Sequence, residues 1–86
     1  MSNIIILLPH YNNVSGLQGT IGSINEESTP DILIIDDGSI ERLDKSSIKY
    51  SGNVFFRFLK TNSGIGTALN IGLDFAVSQK YEYIGR

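Results

Sequence analysis

Two short runs of apolar residues constrain the fold of this chain more than any other feature. Residues 4–8 and 32–35 have the length of a strand, are rich in isoleucine and do not alternate with polar residues. Uninterrupted apolar strands are typical of a parallel sheet that helices cover on both faces. The two runs therefore predict parallel strands with helices between them. A third run, residues 54–59, is interrupted by Arg57 and predicts a further strand.

Two segments of the chain have helical periodicity. The first helix is predicted over residues 14–26, where apolar side chains recur at Leu17, Ile21 and Ile24. Its N-cap has three candidates, which the sequence leaves open: Asn12, Asn13 and Ser15. The second helix is predicted over residues 65–79 and has the strongest apolar stripe in the chain. That stripe contains Ile65, Ala68, Leu69, Gly72 and Ala76.

The remaining segments predict one connection and one strand. Residues 39–52 predict only a short turn or helix, and residues 81–86 predict the beginning of a fourth strand. The resulting order implies an α/β fold with an open, Rossmann-like parallel sheet and right-handed crossovers. The 86 residues are fewer than the roughly 100 to 200 of a typical domain. Because natural domains seldom end on a strand without a turn after it, we expect residues 1–86 to form a single partial domain.

Charge and hydropathy exclude several classes of partner. Seven Lys and Arg against nine Asp and Glu give a net charge of −2 without a basic run, so nucleic acid is not an expected partner. The longest apolar run is far shorter than the roughly 18 residues of a membrane span. The chain contains no cysteine, and we expect a cytoplasmic protein. His10 has no second His or Cys at ligand spacing, which predicts a structural or solvated role and no metal site.

Polar residues follow the first predicted strand, at the end of an open α/β sheet where ligands bind. They are Pro9, His10, Tyr11 and Asn12. The ring of Tyr11 can stack on a flat nucleotide base, and Asn12 can cap the following helix. A plain strand-to-helix turn is the alternative interpretation, since Pro and Asn are common in such turns for backbone reasons.

The second predicted strand ends in two adjacent carboxylates, Asp36 and Asp37, which precede Gly38 and Ser39. Successive side chains of a strand leave on opposite faces, so only one of the two needs to enter a given pocket. A carboxylate there can accept a hydrogen bond from the imide N–H of a pyrimidine or from a ribose hydroxyl. An Asp-Gly turn with a Ser cap is the alternative, but the position at the ligand crevice favours a functional role.

A glycine-rich turn follows the third predicted strand and precedes the second helix. It contains Asn62, Ser63, Gly64, Ile65 and Gly66. Backbone N–H groups at such a position can bind a phosphate, and close packing of helix on sheet is the alternative role of the glycines. The dinucleotide fingerprint is excluded because its third glycine would fall on Leu69, and the Gly-Lys-Ser/Thr of a Walker loop is absent.

In their order along the chain, these motifs resemble the N-terminal part of the family 2 glycosyltransferases, which have the GT-A fold. The resemblance covers essentially all 86 residues, least securely residues 40–52. It implies that the chain is the nucleotide-binding half of such a fold. The residues that carry it are residues 4–8, Pro9, His10, Tyr11, Asn12, Leu17, Ile21, Ser23, Ile24, Pro30, residues 31–35, Asp36, Asp37, Gly38, Ser39, Asn62, Ser63, Gly64, Ala68, Asn70, Gly72, Tyr83 and Ile84.

The resemblance also implies substrate-binding roles for five residues. The donor would be a nucleotide-diphosphate sugar, usually a UDP-sugar. Pro9 and Tyr11 would flank the uracil with Tyr11 stacked on it, and Asp37 would contact the base edge beside Asp36. Gly64 would lie near the nucleotide. Many relatives carry a basic residue after this glycine that approaches the diphosphate, whereas this chain has none at Ile65, Gly66, Thr67 or Leu69.

Catalysis is expected to require residues outside this chain. In the family, the fourth strand leads into an Asp-x-Asp motif whose carboxylates hold Mg²⁺ or Mn²⁺, and the catalytic base comes later. The 86 residues contain no Asp-x-Asp. We therefore expect no catalytic and no metal-binding residue in the chain, and a parent glycosyltransferase of which this part alone lacks turnover.

Three other interpretations compete with this one. The first is a Rossmann-like mononucleotide-binding module unrelated to sugar transfer. The second is a phosphoacceptor receiver domain, which is disfavoured because no lone Asp follows the third strand. The third is a role in assembly, in which the unfinished edge of the fourth strand pairs with a second copy to form a homodimer.

Overall fold

The computed structural model describes residues 3–41 and 43–85, and within them the chain alternates between strands and helices. The prediction of an α/β fold with an open parallel sheet is confirmed. Neither described helix combines the length and the apolar character needed to cross a membrane. In chain order the elements are β1 (Ile4–His10), α1 (Val14–Glu27), β2 (Asp31–Asp36), β3 (Val54–Phe58), α2 (Ile65–Ser78) and β4 (Tyr83–Gly85).

The strands form one sheet in the order β3-β2-β1-β4, and every pairing is parallel. His10, Asp36 and Phe58 end β1, β2 and β3, and they are register partners of one another. We refer to the end of the sheet that they mark as the carboxyl end, and to the opposite end as the amino end. The last residues of three neighbouring strands therefore lie side by side, at the place where open α/β sheets bind ligands.

Each face of the sheet packs against one helix and forms its own apolar cluster. The cluster between the sheet and α2 contains Ile5, Leu7, Leu33, Ile35, Ala68 and Ala76. The cluster between the sheet and α1 contains Leu8, Leu17, Ile21, Ile32, Ile34 and, from the loop after β2, Leu43. Every residue of β2 is buried. Burial on both faces explains why the sequence of this strand does not alternate.

The connection between β2 and β3 differs from the other crossovers. In the part of the chain that is described, it contains a single 3₁₀ turn, Lys45–Ser47, in agreement with the predicted short turn or helix. The ammonium group of Lys45 lies 5.3 Å from the ring centre of Phe56 and 5.6 Å from that of Phe58. This turn, instead of a helix, covers the α1 face of β3.

The structure corrects several predicted boundaries. β1 extends beyond its apolar run to His10, whose carbonyl accepts from the Asp37 N–H at 2.8 Å. Adjacent strand residues direct their backbone groups to opposite sides, so Pro9 faces away from β2 and its missing N–H breaks no β1–β2 hydrogen bond. α2 ends at Ser78, one residue earlier than predicted. β4 is limited to Tyr83–Gly85, which leaves Tyr81 outside the strand, and the predicted strand residue Arg86 lies outside the described residues.

At the amino end, the carboxylate of Asp31 links three segments. Asp31 is 1% exposed, and it accepts hydrogen bonds from the Asn53 side-chain amide at 3.2 Å and the Tyr81 hydroxyl at 2.5 Å. Burial raises the pKa of Tyr81, and the hydrogen bond and negative charge of Asp31 raise it further. The beginnings of β2 and β3 and the segment before β4 are thereby connected through one buried charge.

Candidate functional site

The residues predicted to bind substrate lie around the carboxyl end of the sheet, but not in one contact group. Asp37 and Gly64 are in direct contact through a hydrogen bond of 2.9 Å. Pro9 and Tyr11, at the end of β1, line an open cleft of about 380 Å³ together with residues of α1. Asp36 bonds to a different loop from Asp37. The site therefore has three parts: Asp37 with Gly64, Pro9 with Tyr11, and Asp36 with the loop after β2.

Asp37 fixes the glycine-rich turn before α2. Its carboxylate is on a residue only 5% exposed, and it accepts from the Ser63 N–H at 2.7 Å, the Gly64 N–H at 2.9 Å and the Asn62 amide at 3.2 Å. A carboxylate has about four acceptor positions. Most of the hydrogen-bonding capacity of Asp37 is thus used by the described residues, and about one acceptor position of its carboxylate is not used by these three bonds.

Gly64 has a conformational role in the turn, whereas close packing of the helix on the sheet involves the later Gly72. Gly64 is the N-cap of α2 with φ of 93°, a left-handed conformation that only glycine adopts readily. Apart from sequence neighbours, no atom of the described residues lies within 4 Å of a Cβ added at Gly64 or Gly66. At Gly72 the added atom would lie 3.1 Å from side chains of both Leu7 and Ile35. Close contact between α2 and the sheet is therefore made at Gly72.

Gly38 brings the loop after β2 into backbone contact with the turn before α2. Its φ is 75°, and an added Cβ would lie 2.4 Å from the carbonyl carbon of Thr61 and 2.5 Å from the nitrogen of Asn62. No side chain fits between these two segments. The contact holds the backbone of residue 62 close to Asp37, which bonds to the side chain of Asn62.

Asp36 and its register partner His10 are both buried, with 3% and 5% of their surfaces exposed. Oδ1 of Asp36 accepts from the Ser39 N–H at 2.9 Å. Oδ2 of Asp36 and Nε2 of His10 have no hydrogen-bond partner among the described residues. Asp36 thus shapes the loop after β2, whereas Asp37 shapes the turn before α2.

Of the three N-cap candidates of α1 that the sequence leaves open, the structure assigns the cap to Asn13 and not to Asn12. The Asn13 side chain caps α1 by accepting from the Gly16 N–H at 3.1 Å. Asn12 instead has a positive φ of 49° and bonds to the loop after β2. The residue type is the sequence feature that could have indicated the positive φ of Asn12, since Asn tolerates the left-handed region better than most residues.

The described elements form an α/β fold with polar residues at the carboxyl end of its sheet, which is where open α/β sheets bind ligands. Residues 5–85 match the model of the family described as Glycosyl transferase family 2. The match spans nearly the whole chain, and the chain therefore belongs to glycosyl transferase family 2. The resemblance inferred from its motifs is confirmed.

Two curated relatives are similar to parts of the chain. A teichoic acid poly(glycerol phosphate) polymerase of Staphylococcus epidermidis is 31% identical over 80 residues, which cover 86% of this chain and 11% of that protein. An uncharacterized glycosyltransferase of Rickettsia typhi is 28% identical over 72 residues, which cover 81% of this chain and 22% of that protein. The chain thus spans less than a quarter of either relative. No solved structure matches it significantly.

The family resemblance implies Mg²⁺ or Mn²⁺ in the parent enzyme, and the described side chains do not fit such an ion. Residues 3–41 and 43–85 contain no group of three or more His, Cys, Asp or Glu that could hold a metal. The adjacent carboxylates of Asp36 and Asp37 bond to different loops. No step of the chemistry is therefore assigned to a metal in this chain.

Proposed function

We propose that the chain binds a nucleotide-diphosphate sugar, with UDP as the nucleotide, as the donor-binding part of a glycosyltransferase. Family membership supports glycosyl transfer. The observation that carries the nucleotide proposal is Tyr11, whose side chain is 45% exposed at the carboxyl end of the central strand β1. An aromatic ring there offers a flat surface where open α/β sheets bind their ligands.

Each predicted residue has a distinct role in this proposal. Tyr11 stacks on the uracil and Pro9 flanks it. Asp37 contacts the edge of the base with its remaining acceptor position while it holds the glycine-rich turn in place. Gly64 brings the backbone of that turn close to the nucleotide, and Asp36 lies beside Asp37 at the end of β2.

Replacing Tyr11 with alanine is expected to weaken UDP binding about tenfold or more, because stacking a base on an aromatic ring contributes about 1 to 3 kcal/mol. The affinity is measured by NMR titration with UDP. Tyr83→Ala is the matched control, since Tyr83 is also exposed but lies at the amino end of the sheet. It should leave the affinity unchanged.

Two results would contradict the proposal. The first is the absence of shifts at Tyr11, Asp37 and Gly64 in the wild-type chain up to millimolar UDP. The second is tighter binding of NAD or ATP than of UDP, which would favour the mononucleotide-binding module that the sequence leaves as an alternative.

We also propose that the 86 residues alone bind the donor without transferring its sugar. The Asp-x-Asp carboxylates and the catalytic base that the family resemblance implies are not among them. General base catalysis contributes about 10²- to 10⁴-fold, and stabilisation of the leaving group contributes at least as much. UDP release from UDP-sugars is therefore expected at the uncatalysed rate, with or without Mn²⁺. Metal-dependent release by the 86 residues would contradict this proposal.

A further inference from the structure

We propose that Asn12 and Ser39 are positioning residues that fix Tyr11 for stacking on the base. One hydrogen bond joins Asn12 to Ser39 and a second joins Asn12 to the adjacent Ile40, and we call this pair of bonds the Asn12–Ser39 link. The Asn12 N–H donates to Oγ of Ser39 at 2.9 Å, and the N–H of Ile40 donates to Oδ1 of Asn12 at 2.9 Å. The proposal rests on the proposed function, because it assigns these residues a role in the same nucleotide site.

The link connects two segments that are distant in the sequence. Asn12 follows Tyr11 at the end of β1, whereas Ser39 and Ile40 belong to the loop after β2, 27 and 28 positions away. Each segment donates one backbone N–H and supplies one side-chain acceptor. This reciprocal arrangement holds the backbone of the two loops at a fixed separation.

The link is anchored in the core of the sheet. Ser39 donates its N–H to Oδ1 of Asp36 at 2.9 Å, and Asp36 is a buried residue of the central strand β2. A ligand that displaced Ser39 would have to break this bond as well. Asp36, which the sequence predicts to bind substrate, thereby has an additional role through Ser39.

Tyr11 lies between two fixed backbone positions. Before it, the carbonyl of His10 accepts from the Asp37 N–H at 2.8 Å. After it, Asn12 is held at φ of 49° by the link. The direction in which the Tyr11 side chain leaves the backbone is therefore fixed, although its ring is partly exposed. A fixed backbone lowers the entropy that an exposed side chain loses when a ligand binds.

The test uses variants that remove one bond each. Asn12→Gly retains access to the left-handed backbone but removes Oδ1, and Ser39→Ala removes Oγ. Ser39→Thr restores an Oγ at the same position. Asp44→Ala is the control, since Asp44 bonds to Ser46 in an exposed turn that Tyr11 does not belong to. For each variant we measure the ring signals of Tyr11 by NMR without ligand, the Kd for UDP and the thermal midpoint.

In Asn12→Gly and Ser39→Ala, the Tyr11 signals are expected to move toward those of a mobile, exposed tyrosine, while those of Tyr81 and Tyr83 stay unchanged. The Kd for UDP should rise about two- to tenfold, as expected when one side chain must be ordered on binding. Ser39→Thr and Asp44→Ala should both resemble the wild type. Rescue by threonine is an outcome that a general loss of stability would not produce.

Three outcomes would contradict either the positioning role of the link or the proposed nucleotide function. Unchanged Tyr11 signals in both Asn12→Gly and Ser39→Ala would overturn the positioning role. Loss of the wild-type Tyr11 signals in Ser39→Thr would overturn it too, because the Oγ acceptor would then not be the cause. Tyr11 signals that move as expected in a protein that binds no UDP would support the link and overturn the proposed nucleotide function instead.

Discussion

Replacing Gly38 with alanine is expected to destabilise the fold by about 2 to 6 kcal/mol, the sum of two separate costs. A non-glycine residue at φ of 75° is strained, at a cost of about 1 to 3 kcal/mol. The added Cβ would also lie 2.4 Å from the backbone of Thr61, and forced overpacking costs about 1 to 3 kcal/mol. The total stability of such a domain is about 4 to 13 kcal/mol, so this loss is a large fraction of it.

Alanine variants at two other glycines distinguish the cost of backbone strain from the cost of overpacking. Urea denaturation measures the free energy of unfolding of all three variants. Gly64→Ala has the positive φ without any atom within 4 Å of the added Cβ, so it should show the backbone strain alone. Gly19→Ala lies inside α1 with no atom within 4 Å, and it should stabilise the protein by about 0.5 to 1 kcal/mol. Equal losses in Gly38→Ala and Gly64→Ala would show that the collision with Thr61 costs nothing.

Replacing Asp31 with alanine is expected to destabilise the protein by about 2 to 4 kcal/mol at neutral pH, because two hydrogen bonds to a charged group are lost. Their donors are Asn53 and Tyr81. Asp31→Asn keeps one side-chain oxygen as an acceptor, so it should lower the free energy of unfolding less than Asp31→Ala does. Urea denaturation at pH 7 measures both variants. Equal losses in the alanine and asparagine variants would contradict the role given to the individual hydrogen bonds.

The contact between Asp31 and Tyr81 should also make the stability of the protein depend on pH in the alkaline range. The pKa of Tyr81 is raised in the folded protein above its ordinary value, which is about 10 in the unfolded chain. The neutral phenol is therefore favoured by folding. The stabilisation of the folded state by the neutral phenol of Tyr81 is complete below about pH 10 and is lost as the pH rises above that value. In Asp31→Asn, which lacks the negative charge, the decrease between pH 9.5 and 11 (about the range of tyrosine ionisation) should be smaller than in the wild type.

The strands and helices could be predicted because local sequence determines them. β2 is buried on both faces and is apolar without interruption between its terminal aspartates. α2 begins at Ile65, the first residue of its apolar stripe, and α1 begins at Val14, in the turn before its first repeat residue, Leu17. The strand Tyr83–Gly85 was predicted too long because Tyr81 is held by a hydrogen bond to Asp31, 50 positions away. A contact over that distance leaves no pattern in the neighbouring residues.

The position of the candidate site in the fold could be predicted from the sequence. The hydrogen bonds between its residues could not. The order of strands and turns placed Tyr11, Asp37 and Gly64 at the same end of the sheet, since the carboxyl ends of parallel strands lie together. The hydrogen bonds of Asp37 to the turn before α2 span 26 and 27 positions and depend on the orientation of one side chain. Residue type alone does not determine that orientation.

The pairing of β1 with β4 has a consequence for synthesis of the protein. β1 is translated before β4, and the pairing of Ile4 with Tyr83 joins positions at nearly opposite ends of the 86 residues. At about 5 to 20 residues per second, this interval is roughly 4 to 16 s. During it, one flank of β1 lacks its partner strand, and pairing across such a distance is slow because a long loop must close first. During that interval, the unpaired flank of β1 can pair with a strand of another chain, which favours aggregation.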